Sequence, residues 1–454
     1  MKMALCGFLV LCAAADAQVA IGQSFIQAQE APRTPQSAPT TLTLKDALQM
    51  AQQNEPQFLA SANDLKIAHE DTRQARSAQY PAFGLKSEFT NTEGNGRTPT
   101  SRFVTQDGVH VYREWATMHQ DLSAGTLTGV GIDRATAAEA VAQAKVEIAR
   151  RGLTVTVTKD YYNLLLAQRK YATAQQSLDE AQRFVTISQN LERGGEVAHS
   201  DVVKAQLQQN AQTQVLRESQ LAMANARLEL AVLLFRDFDQ NFQIVDDLNL
   251  APALPPLTDA QSMAAKQNPD LRVAMSTLQG AEMDVRIARQ AFLPSLSLDV
   301  VYGLEANAIT LNSIYVADPG RGPVPTLGYS LDANLTLPVW DWGARRSKLQ
   351  QAQLKREQSR IELSATQRET LKNFQTAYQE AQTARDQRDL LRQAADLASE
   401  NLRLNNLRYQ AGEATVLEIV DAQNSLVQAR NSLDDGEVRY RVALAGLQAL
   451  TGTF

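Results

Sequence analysis

Two carboxylates, Glu418 and Asp421, stand three residues apart in the last tenth of the chain. On a helix this spacing places both on one face, where they could attract cations and repel anions. Asp201 and Lys204 repeat the spacing in the first half. Little else could do chemistry. The four histidines, His69, His110, His119 and His199, are scattered, with no H-E-x-x-H and no His/Cys cluster. They read as surface or loop residues, and neither a metal site nor a catalytic constellation is expected. Gly125-x3-Gly129-x-Gly131 lacks the Lys-Ser/Thr of a phosphate loop, so no nucleotide or other cofactor is expected. Cys6 and Cys12 are the only cysteines, which excludes a disulfide scaffold or a Cys-rich zinc site in the rest of the chain. The 454 residues carry 44 Lys+Arg against 50 Asp+Glu. That balance argues against nucleic-acid binding, which needs clustered cations. With 44% apolar and 21% charged residues, the chain has the composition of a folded protein.

Any such residues must be positioned by an exported chain. Met1-Lys2-Met3, an apolar run from Ala4 to Ala15 and the A-x-A of Ala15-Asp16-Ala17 form a secretory signal, expected to be removed after residue 17. Residues 18–43, with Pro32, Pro35 and Pro39, read as an extended linker. The longest later apolar run, Leu230 to Phe235, is far short of a membrane-spanning helix.

The remainder is one unit written twice. Residues 44–81 and 257–294 align without a gap, with 14 identities in 38 positions, including Pro56/Pro269, Asp71/Asp284 and Pro81/Pro294. Further on, Gly195-Glu196 matches Gly412-Glu413, and Ala205-Gln206 matches Ala422-Gln423. Repeat 1 is placed at 44–250 and repeat 2 at 251–454, with a Pro-rich joint at 251–257. Proline is absent from 100–251 and from 339–454. Since proline is costly inside helices, each gap can hold a long helix and a returning one, about 130–235 and 343–450. If 343–410 is a single helix it is roughly 100 Å long. Leu390, Ala394, Leu397, Asn401 and Leu404 supply a coiled-coil seam on it. Gly195 and Gly412 mark the tight turns between the helices of each pair.

Ahead of each long helix the period changes to two. Leu327, Tyr329, Leu331, Ala333 and Leu335 alternate with Ser330, Asp332, Asn334 and Thr336. Leu296, Leu298, Val300, Tyr302 and Leu304 form a partner strand, giving a hairpin at about 295–340 around a polar loop at 306–325. Repeat 1 has a weaker version at about 82–124, with Phe83, Leu85, Phe89, Tyr112, Ala116, Met118 and Leu122 around loop 91–108. Four such strands fit either a soluble layer or part of a membrane barrel. Export without a spanning helix favours the barrel, whose edges must close. Four strands cannot close; three copies would supply twelve, although the pattern does not itself choose three over two or four. Trp115, Trp340 and Trp342 lie near strand ends, as membrane-interface or core aromatics.

These features together resemble the TolC family of outer-membrane efflux channel proteins (outer membrane factors). The resemblance rests on the duplication, on Leu337-Pro338-Val339-Trp340-Asp341-Trp342-Gly343 with its degenerate counterpart Leu127-Thr128-Gly129, and on Arg408-Tyr409-Gln410-Ala411-Gly412-Glu413 running into Val416 to Gln423. Gly194-Gly195 running into Asp201 to Gln206 echoes the last motif. It implies a mainly helical chain with four strands. Three copies would form a twelve-stranded outer-membrane barrel continuous with a twelve-helix tunnel through the periplasm. It implies passive export rather than enzymatic activity, with a periplasmic adaptor (membrane fusion protein) and an inner-membrane pump as partners, in tripartite efflux or type I secretion. The family's gate acids fall on Glu418 and Asp421, with Asp201 at the first-half position of Glu418. If they face the bore, crowding should raise some of their pKa values. Tyr409 matches a tyrosine of the closed-state latch, whereas the latch arginine aligns with Ala414. Pro338 and Gly343 mark the strand-to-helix junction. The competing reading is a soluble periplasmic coiled-coil adaptor, which would have no use for two-faced hairpins.

Overall fold

A computed structural model describes residues 40–92, 109–236, 241–250, 252–306, 309, 311, 326–411 and 413–453. The signal segment, most of the linker, the two hairpin loops and Gly412 lie outside the described residues. Repeat 1 runs through β1 (Thr40–Leu42), α1 (Leu44–Asn54), α2 (Pro56–Ser77), β2 (Ala82–Thr92), β3 (Val109–Asp121), α3 (Ala124–Thr128), α4 (Val130–Gly194), α5 (His199–Leu234) and β4 (Phe242–Ile244). Repeat 2 follows with α6 (Leu257–Gln267), α7 (Pro269–Gln290), β5 (Ser295–Ala306), β6 (Leu327–Thr336), α8 (Ala344–Gln410) and α9 (Val416–Thr451).

Local chemistry sets these boundaries. Pro56 and Pro269 each occupy the first helical turn, where a missing N–H costs nothing. Glu55 caps α2 by accepting from Phe58 N at 2.6 Å, and Asn268 caps α7 by accepting from Asp270 N at 2.8 Å. α4 and α8 start after Gly129 (φ 69°) and Gly343 (φ 86°), both in the left-handed region that glycine enters without strain. α4 has 65 residues and α8 has 67, so each is roughly 100 Å long. α4 packs along α5, α8 along α9, and α4 also contacts α2, α7 and α9.

Two expectations need correction. The end of the supposed linker is not an unpacked extension: Thr40–Leu42 pairs in parallel with Phe242–Ile244. Leu42 and Phe242 are buried there against Tyr161, Tyr162 and Leu234, so the short strand is held by a core as well as by its ladder. The seam read on α8, which Leu371, Phe374 and Tyr378 extend upstream, is covered only in part within this chain, at Phe374 and Tyr378. Leu390, Leu397 and Leu404 are 66%, 72% and 46% exposed. The stripe buried within the chain is Phe374, Ala381, Ala395, Leu402 and Tyr409. A helix in the wall of a tube needs a seam for each neighbour, and within one chain α8 has no neighbour on the Leu390 side.

Candidate functional site

The second ladder is a four-stranded antiparallel sheet in the order β2-β3-β5-β6. The β3–β5 pairing joins the two repeats, and β2 and β6 are edges whose outer sides meet no strand among the described residues. The register sorts the side chains by polarity. Phe83, Leu85 and Phe89 sit across from Met118, Ala116 and Tyr112. Ala116 and Met118 pair onward with Tyr302 and Val300, which pair with Tyr329 and Leu331. Neighbours across a strand share a face, so the apolar residues singled out in the sequence line up on one surface. Leu85 is 90% exposed and Tyr329 82%. Ser87 and Glu114 interrupt that surface, hydrogen-bonded to each other at 2.6 Å.

The opposite face is polar and bonded to itself. Arg113 pairs with Glu88 at 2.7 Å and with Glu305 at 3.0 Å, and Lys86 pairs with Glu88 at 2.5 Å. His119 meets Asp299 at 2.6 Å, and Asn334 Nδ2 donates to Asp299 at 3.2 Å. Trp115 lies on this face, its ring centre 5.4 Å from Lys86 Nζ and 5.3 Å from the Arg113 guanidinium. It is therefore a cation-bracketed residue, neither a core nor a belt aromatic. Trp340 and Trp342 do stand outward, beyond the end of β6.

The strand-to-helix junction is held by Asp341, whose role the motif contains but the sequence reading left unassigned. Its carboxylate accepts from Gly343 N at 3.1 Å and from Arg345 N at 2.9 Å, and pairs with the Arg345 side chain at 2.8 Å. These donors hold its pKa below the usual range, the Arg345 N–H contributing most. Ala344 N donates to Asp341 O at 3.1 Å, closing a turn in which Trp342 takes φ 55° and Gly343 φ 86°. Pro338 precedes this turn in irregular backbone.

At the far end of the long helices, Gly195 closes α4 at φ 79°, with its N–H donating to Glu192 O at 2.9 Å. In the sister turn, Glu418 is committed locally. It closes a reciprocal cap with Thr415 at the start of α9, and Arg408 Nη1 reaches it at 3.1 Å. Within one chain its pKa is lowered, first by the Thr415 backbone N–H. Asp421 is exposed, with no hydrogen bond or ion pair among the described residues. Lys204 is turned to Asp201 on its own helix, at 3.4 Å, and not to Asp421. Tyr409 is buried between the helix pairs. Its hydroxyl lies 3.3 Å from Ser188 Oγ, its ring packs 5.3 Å from Phe184, and Ala205, Val416 and Ile419 complete the cluster. Ala414 packs on the rim of the same cluster. The other histidines are ordinary pairs: His69 with Glu139 at 2.8 Å and His199 with Glu192 at 2.7 Å. The side chain of His110 lies outside the described residues. No group of His, Cys, Asp and Glu among the described residues could hold a metal ion, and no described helix is long and apolar enough to cross a membrane.

The profile of the family described as outer membrane efflux protein matches twice, over residues 47–234 and 260–453. The chain belongs to the outer membrane efflux protein family. Like its relatives it is an outer-membrane protein. It is 25% identical to the cation efflux system protein CusC of Escherichia coli (strain K12) over 287 residues, covering 62% of this chain and 60% of that one. It is 22% identical over 430 residues to the outer membrane protein TolC of the same organism, covering 90% and 82%. The crystal structure of the Campylobacter jejuni CmeC outer membrane channel superposes with a TM-score of 0.77 at 17% identity, covering 90% of this chain and 85% of that one. The chain thus spans less than two thirds of the CusC relative and most of TolC, and it shares the fold of these channels.

Proposed function

We propose that this outer membrane efflux protein is a passive export duct, formed by three copies that pool their sheets into a twelve-stranded barrel above a tube of long helices. The observation that carries the reading is the sorted register: one face of the sheet is apolar and exposed, the other is charged and internally paired, and both edges are open. In lipid such edges must close on something, and a barrel of this size leaves a lumen too wide for side chains to fill. A soluble periplasmic adaptor would bury or charge that apolar face. A periplasmic adaptor protein and an inner-membrane pump would supply the energy, as in the tripartite efflux and type I secretion systems of the resembled family.

In this reading the tip is the gate, and its two acids divide the work. Glu418, tied to Thr415 and Arg408, holds the turn. Asp421, unpaired and exposed, supplies the ring of negative charge that attracts cations. Asp201 with Lys204 makes the corresponding first-half turn less charged, and Tyr409 with Ser188 and Phe184 fastens the two helix pairs. Gly195 turns the helices of the first pair; Pro338 and Gly343 redirect strand into helix. Planar-bilayer recordings test this. Glu418→Ala with Asp421→Ala should weaken cation selectivity and block by multivalent cations, with Asp421→Ala alone giving most of the loss. Unchanged selectivity in the double variant would refute the gate assignment.

A further inference from the structure

The duplication makes the chain carry, inside itself, a copy of a joint that it lacks on its outside. Within one chain, repeat 1 offers β3 and α4 to β5, α7 and α9 of repeat 2. The same surfaces remain open at the chain's edges: β6 and α8 of repeat 2 on one side, β2, α2 and α5 of repeat 1 on the other. From this internal joint we infer the residue-level interface between neighbouring copies, which rests on the assembly proposed above: β6 pairs with the next copy's β2 with Thr336 opposite Lys86, Lys348 pairs with its Asp71, and Asp386 pairs with its Arg217.

The strand register follows from matched ladders. Ala82 and Ser295 are counterparts, each following the repeated proline, Pro81 or Pro294. Ala82 pairs with His119 and Ser295 with Thr336, so His119 and Thr336 are counterparts. The internal joint places His119 opposite Asp299 and Trp115 opposite Gly303. Carried to the outer edges, these become Thr336 opposite Lys86 and Asp332 opposite Thr90. A slip of one residue would turn one strand over, yet this register joins polar face to polar face.

The helices give two further joints. Arg134, five residues after Gly129, pairs with Asp284 of α7 at 2.9 Å. The position five residues after Gly343 is Lys348, and the counterpart of Asp284 is Asp71, one of the repeated identities. Lys348 and Asp71 are both exposed and have no ion pair among the described residues. Farther along, the offset is fixed by sister tyrosines. Tyr161 donates to Leu42 O at 3.2 Å and Tyr378 to Pro255 O at 3.1 Å. Eight residues beyond Tyr161 is Arg169, which pairs with Asp434 of α9 at 3.0 Å. Eight beyond Tyr378 is Asp386, and the counterpart of Asp434 on α5 is Arg217. The pair recurs with its charges exchanged. Arg217 has no partner among the described residues, and Asp386 meets only its neighbour Arg385. Exchanged charges would also discourage α8 from taking the place of α4 against its own chain's α9, since Asp386 would then face Asp434. The exposed leucines at 390, 397 and 404 of α8, and at 207, 221 and 228 of α5, line the same pair of helices.

Cysteine pairs in the full-length protein, oxidised in outer membranes and run on denaturing non-reducing gels, test the register. Thr336→Cys with Lys86→Cys, and Asp332→Cys with Thr90→Cys, should each give covalent trimers. The shifted pairs, Thr336→Cys with Glu88→Cys and Asp332→Cys with Glu88→Cys, should not. Trimers linked only by shifted pairs, or a trimeric protein linked by none, would overturn the register and leave the duct standing. A monomeric protein linked by none would overturn the duct itself. Independently, Asp386→Arg should reduce the fraction of detergent-resistant trimer, and adding Arg217→Asp should restore it. Failure of the second change to restore it would overturn the exchanged pair.

Discussion

α4 and α8 are sister helices of nearly equal length, yet seventeen residues of α4 are buried against seven of α8. Both start behind a left-handed glycine, so the cap does not explain the difference. α8 is the more polar of the two, and its position adds to that. α4 lies inside the chain with α1, α2, α5, α7 and α9 around it, whereas α8 has α6, α7 and α9 and an open side. In the proposed assembly the exposed leucines on α8 are contacts for a neighbouring copy. The lesson is that burial in one copy under-reports the core of an assembly, and that the interior repeat shows what the edge repeat becomes.

The widest gap between the sisters should appear at Arg169. It holds Asp246 at 2.8 Å, Asp434 at 3.0 Å and the buried Glu437 at 3.1 Å. Burial already pushes the Asp434 pKa up against the pull of Arg169. Arg169→Gln would strip Asp246 and Asp434 of their cation, leave Glu437 only Arg392 at 3.4 Å, and cost about 3–5 kcal/mol, read as a lower midpoint in chemical denaturation. Asp386→Asn, its sister on α8, should leave a dissociated single chain nearly unchanged. Equal losses at the two sites would break the comparison.

A smaller contrast lies in the sister tyrosines. The Tyr161 hydroxyl shares its one proton between Val245 O at 2.8 Å and Leu42 O at 3.2 Å and accepts from Val245 N at 3.1 Å, fixing the β1–β4 ladder to α4. Burial pushes its pKa up to about 12. Tyr378 makes a single bond, to Pro255 O. Tyr161→Phe should cost about 1–3 kcal/mol and Tyr378→Phe about 0.5–1.5 kcal/mol, measured by the same denaturation series.

The smallest effect is acidic. Arg150 and Arg151 pair with Glu147 at 2.9 and 2.6 Å, and Arg151 also donates to Ala449 O at the end of α9. Chiefly through the Arg150 hydrogen bond, the Glu147 pKa falls from 4.5 to about 2. A folded value below the unfolded one stabilises fully above about 4.5 and is lost as pH drops toward about 2. Glu147→Gln should lower stability at neutral pH, change it little near pH 2, and so flatten the acid limb of the stability profile in that window. A profile parallel to the parent's would contradict the pairing.

Much of this architecture was legible in the residues. The proline-free stretches, the period-two segments and the repeated identities are local signals, and local chemistry builds long helices and strands from them. The β1–β4 ladder was hidden because three-residue strands have no periodicity to read and their partners lie about 200 residues apart. The seam on α8 is covered only in part within one chain because the helix carries two apolar stripes, and a sequence does not say which one its own chain covers. At the tip, Glu418 and Asp421 look equivalent by spacing. What separates them is Thr415 three residues before Glu418 and Arg408 across the turn. The capping pattern T-x-x-E was there to be found; the reach of the arginine was not.

Native mass spectrometry of the processed protein, released from the outer membrane in mild detergent, bears most directly on the idea that each copy is completed by others. Three chains per particle, falling to one only when the pairing of the outer strands is broken, is the expected result. A stable particle of one chain, folded and with both sheet edges left open, would contradict it.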